Sequence, residues 1–98
     1  MSLETTTAQT TPTAPAAPQD FRKRPNVANH VKALNGTRGR GSYHVRVKLD
    51  REWNEIIVRL TDGTCTRTTQ HIDIGHTTED KISALTELYG TVKHFIEL

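Results

Sequence analysis

The feature that most restricts this chain is a change of period at Tyr43. From there apolar and polar side chains alternate, with Tyr43, Val45, Val47 and Leu49 set against His44, Arg46, Lys48 and Asp50. After a loop around 50–54 the pattern returns, with Ile56, Val58 and Leu60 set against Glu55, Ile57 and Arg59. Successive side chains of an extended strand point to opposite faces, so the pattern predicts two strands, each with one apolar face and one largely charged face.

Asp62-Gly63 follows the second strand and marks a hairpin. A two-residue turn sets Val58 opposite Arg67. A three-residue loop with Gly63 in the left-handed region sets Val58 opposite Thr66 and Ile57 opposite Arg67. The second register is preferred because it keeps Arg67 away from the core, where an unpaired charge is costly. It also brings Thr66, Thr68, Gln70, Ile72 and Ile74 into one phase of a third strand.

A helix is expected on either side of the strands. Val27, Val31 and Leu34 recur at helical spacing between Pro25 and Gly36, which punctuate a short helix over 26–35. Thr77 reads as an N-cap, Glu79 and Asp80 suit the positive end of a helix dipole, and Ile82, Leu85, Leu88 and Tyr89 form an apolar face. Helical spacing persists to Val92 and Ile96, so the helix is expected to pass through Gly90, where one glycine costs about 1 kcal/mol. Trp53 is assigned to the core of so small a domain, with an interface role as the competing assignment.

The resulting fold class is α+β, a small three-stranded antiparallel sheet packed on a C-terminal helix in α-β-β-β-α order. Three segments are expected: a disordered tail over 1–20, a basic arm with a short helix over 21–41, and the α+β domain over 42–98. The tail is assigned because the first eighteen residues are mainly Thr, Ala, Pro and Gln, with Leu3 the only large apolar side chain after Met1. Such a segment cannot offset its ordering entropy. No apolar signal core, Arg-rich transit segment or membrane-spanning run is readable, and the single Cys65 has no internal disulfide partner. A cytoplasmic protein that does not enter the membrane is expected.

Charge carries the functional reading. Residues 21–67 hold eleven Lys or Arg against four acids, whereas residues 68–98 hold two against five. Arg22, Lys23, Arg24, Arg38 and Arg40 lie in the arm, and the preferred register puts Arg46, Lys48, Arg59 and Arg67 on the sheet face away from the helix, with His44, Ile57 and Cys65. These nine cations are the expected nucleic-acid-binding residues, contacting phosphates in a non-catalytic module. The alternative is a protein-interaction or self-associating adaptor that docks through the sheet face or the C-terminal helix.

The order of elements resembles that of double-stranded RNA-binding domains and of small integrase and plant-regulator DNA-binding domains. The second helix opens Thr77-Thr78-Glu79-Asp80-Lys81, where the double-stranded RNA-binding family has a basic cluster, so no family residue is carried over. No enzyme, metal or cofactor is expected. Cys65, His71 and His76 lack a fourth ligand and the paired spacing of a structural zinc site. Gly36, Gly39 and Gly41 do not follow a strand or end in Lys-Ser/Thr. Glu79 and Asp80 are adjacent on a helix and point apart.

Overall fold

The computed structural model describes residues 25–98. The expected tail over 1–20, together with Arg22, Lys23 and Arg24, lies outside the described residues. The elements run α1 (Val27–Leu34), β1 (Thr37–Arg38), β2 (His44–Asp50), β3 (Glu55–Thr61), β4 (Thr66–Asp73) and α2 (Thr78–Ile96). The strands form one antiparallel meander in the order β1-β2-β3-β4. An α+β fold with a C-terminal helix is present, but the sheet has four strands instead of three.

The added strand comes from the Arg-Gly segment. Asn26 caps α1 by accepting from the Asn29 amide at 3.2 Å, and Gly36, at φ +91°, turns the chain back along β2. There the Gly36 amide donates to Val45 O at 2.7 Å and the Asn35 side chain accepts from the Val47 amide at 3.0 Å. Thr37 and Arg38 then pair with Val45 and His44. Gly39 lies against the end of α2, where an added Cβ would sit 3.6 Å from the Ile96 Cα. Two residues are too few to show an alternation, so only pairing with β2 reveals this edge strand.

Both helices contribute to the core on one face of the sheet. Val27, Val31 and Leu34 of α1 and Ala84, Leu85, Leu88, Val92 and Phe95 of α2 cluster with Val45, Val47, Ile56, Val58, Leu60, Ile72 and Ile74. α2 starts at the N-cap Thr77, whose hydroxyl accepts from the Asp80 amide while the Asp80 carboxylate accepts from the Thr77 amide. The helix runs unbroken through Gly90, which is exposed, with open space around it.

Two expectations need correction. Trp53 is 71% exposed and outside the core, because the Asp50 carboxylate accepts from the Glu52 and Trp53 amides at 3.0 and 3.3 Å and folds the loop into a tight projection. The β3–β4 register also differs: Val58 pairs with Gln70 and Ile57 with His71, with a bulge where Thr61 meets Thr66. The connection is a four-residue loop, 62–65, closed by its own polar groups. Asp62 accepts from the Thr64 and Cys65 amides at 2.9 and 2.8 Å, and Thr61 Oγ1 donates to Cys65 O at 2.8 Å. No helix among the described residues is long and apolar enough to cross a membrane.

Candidate nucleic-acid interface

Cross-strand partners share a face, so the register defines what stands side by side on the face that the helices leave open. The first row runs Arg38, His44, Thr61 and Thr66, the second Arg46, Arg59 and Thr69, the third Lys48, Ile57 and His71, and the last Asp50, Glu55 and Asp73. The face is therefore polarised, basic where β2 begins and acidic where it ends. Four residues of strand separate Arg46 from Asp50, roughly 13 Å at about 3.3 Å per residue. That exceeds the screening length of about 8 Å at physiological salt, so the two ends act largely independently.

At the basic end Arg46 and Arg59 are direct partners. Like charges directly opposite one another destabilise a sheet, and among the described residues neither has a carboxylate within ion-pair distance. The one ion pair found there lies toward the other end, where His71 Nδ1 is 3.0 Å from Glu55 Oε2. Beside the arginines is a shallow cavity of about 350 Å³ lined by His44, Arg46, Arg59, Thr61, Thr64 and Thr66. The nearby Asp62 carboxyl is held below the usual carboxylate range, mainly by the Cys65 amide and next by that of Thr64.

The predicted cations divide by position. Arg38, Arg46, Lys48 and Arg59 belong to the open face, and Arg40 is exposed in the β1–β2 turn, where its carbonyl accepts from the Tyr43 amide at 3.1 Å. Arg67 does not join them. The bulge gives it the extra position between Thr66 and Thr68, and its guanidinium lies 5.9 Å from the centre of the ring of Tyr43, a residue packed against the core. Within about 6 Å such a cation is drawn to the ring face. Thr66 takes the outward place assigned to Arg67, and Cys65 lies exposed in the loop.

Sequence reasoning missed the hydroxyls of Thr61, Thr64 and Thr66 beside the arginines, since only the loop closure and bulge bring them there. Tyr and Trp are absent from the four open-face rows, so no large aromatic platform for stacked bases is offered there. Among the described residues, no group of three or more His, Cys, Asp or Glu is placed to hold a metal ion. Comparison with protein-family models, with curated proteins and with solved structures finds no match to this chain.

Proposed function

We propose that this protein is a non-catalytic nucleic-acid-binding module that grips the phosphate backbone with the basic end of its open sheet face. The observation that carries the reading is the direct opposition of Arg46 and Arg59 with no carboxylate within ion-pair distance of either among the described residues. An arrangement that weakens the free sheet is relieved when an anion sits between the guanidiniums. Arg38 extends the basic patch to the sheet edge, Arg40 adds a cation in the adjoining turn, and Lys48 extends it down β2.

The charge gradient also sets a direction. A polyanion laid along the strands meets Asp50, Glu55 and Asp73, so it crosses them, following the rows of Arg38–His44 and Arg46–Arg59. The contacts are to phosphate, which positions the chain without reading sequence. The exposed thiol of Cys65 fits a reducing, cytoplasmic setting.

The polarised face favours one second reading, a face-to-face pair of copies with the basic end of one over the acidic end of the other. A salt titration against duplex DNA, duplex RNA and single strands separates the two. Binding that weakens steeply with salt, and falls for every sequence alike in Arg38→Ala with Arg40→Ala, supports the nucleic-acid reading. No binding at low salt, together with a mass that rises with concentration in light scattering, replaces it with self-association.

A further inference from the structure

The cavity at the basic corner is more specific than a charged patch. Its lining residues include Arg46, Arg59 and His44, together with Thr64 and Thr66, whose hydroxyls have no hydrogen-bond partner among the described residues. Thr61 is committed to the turn, donating to Cys65 O at 2.8 Å and accepting from the Gly63 amide at 3.1 Å. The Asp62 carboxylate, the one acid of the loop, does not line the cavity and accepts the Thr64 and Cys65 amides through Oδ1. The remaining groups are donors or cations, the complement of a compact anion with several acceptor oxygens.

We infer that this cavity seats a phosphate monoester and, resting on the nucleic-acid reading above, that its natural occupant is a terminal phosphate of a nucleic acid strand. An internal phosphodiester brings one charge and two free oxygens. A monoester brings about −1.5 to −2 and three acceptor oxygens, which matches the paired Arg46 and Arg59 forks with hydroxyls left to donate. Along the rows that the polyanion follows, cationic support ends on the β4 side, because the first row finishes with Thr61 and Thr66 and the second with Thr69. That is the layout for the end of a strand. At about 350 Å³ the cavity falls in the range of small-ligand sites, about 300–1,000 Å³, enough for a phosphate and its attached sugar.

The test uses the full chain and one short oligonucleotide made with a 5′-phosphate, a 3′-phosphate or hydroxyl ends, with adenosine monophosphate and inorganic phosphate as competitors. A terminal phosphate is expected to tighten binding roughly tenfold or more, and Arg46→Gln with Arg59→Gln to abolish that preference. The single change Arg59→Lys keeps the charge but loses the planar fork, and is expected to lose most of the preference in a folded protein. Equal affinity for all ends overturns the seat and leaves backbone binding standing. Direct binding of adenosine monophosphate without binding of any oligonucleotide keeps the seat and overturns the nucleic-acid occupant, as does a phosphoserine peptide, titrated alongside, that binds in preference to every oligonucleotide. Failure of every phosphorylated probe to bind at low salt overturns the seat.

Discussion

The side-chain amide of Asn54 donates to the carbonyl of Gly75 at 2.7 Å, while the Asn54 carbonyl accepts from the Ile74 amide at 3.0 Å. These bonds tie the β2–β3 loop to the corner before α2. Asn54 holds φ +53° and Gly75 φ +75°, and a Cβ on Gly75 would lie 2.5 Å from the Asp80 Cβ. Gly75→Ala is therefore expected to destabilise the fold by about 2–4 kcal/mol in denaturant titration. Asn54→Gly loses the side-chain bond but keeps the backbone freedom, so it should be milder than Asn54→Ala by about 1 kcal/mol. Equal losses for the two would show that the left-handed conformation carries no strain.

Replacing Arg46 with Thr removes one half of the like-charge pair on the open face and introduces a good strand former. A gain of about 0.2–1 kcal/mol is expected, with weakened binding to nucleic acid. Stability and affinity moving together would contradict the proposed division of roles.

Trp53→Ala is expected to change unfolding free energy by no more than about 0.5 kcal/mol, as at surface positions away from special features. The native protein should show the red-shifted fluorescence of a solvated indole, because the side chain is 71% exposed. A blue-shifted native emission would place Trp53 in an apolar setting and refute this.

Acid should loosen the fold through the two aspartates that organise turns. The Thr77 and His76 amides, then the Thr77 hydroxyl, hold the Asp80 carboxyl below the usual carboxylate range, and the Cys65 and Thr64 amides do so for Asp62. Each bound carboxylate releases its proton more readily in the folded state than in the unfolded one. The stabilisation is therefore complete above the unfolded value, about 4, and is lost as pH falls through the lower folded value. Denaturation measured from about pH 7 down to about pH 3 should show this acid limb, flattened in Asp80→Ala. Thr77→Ala, which removes the cap oxygen, should cost about 1 kcal/mol at neutral pH. An unchanged acid limb in Asp80→Ala would discount the capping box.

Local signals were legible in the residues. The alternation from Tyr43 set β2 and β3 and their inward faces, the cap at Thr77 set the start of α2, and the spacing of Leu85, Val92 and Ile96 carried it past Gly90. Each rests on groups within a turn or a few residues of one another, whose preference survives in any context that buries the apolar side. On the open face the same alternation identified Arg46, Lys48 and Arg59 before any fold was known.

What needed the tertiary structure was every relation between distant residues. Thr37–Arg38 is a strand only because β2 offers it an edge, and Trp53 faces water because the Asp50 carboxylate folds its loop outward. The β3–β4 register followed the hydrogen bonds of the 62–65 loop, and the bulge it left exchanged the faces of Thr66 and Arg67. A strand's side chains repeat every two residues, so one unpaired residue reverses those beside it. Nothing in the order of residues records where that residue falls until both strands have met.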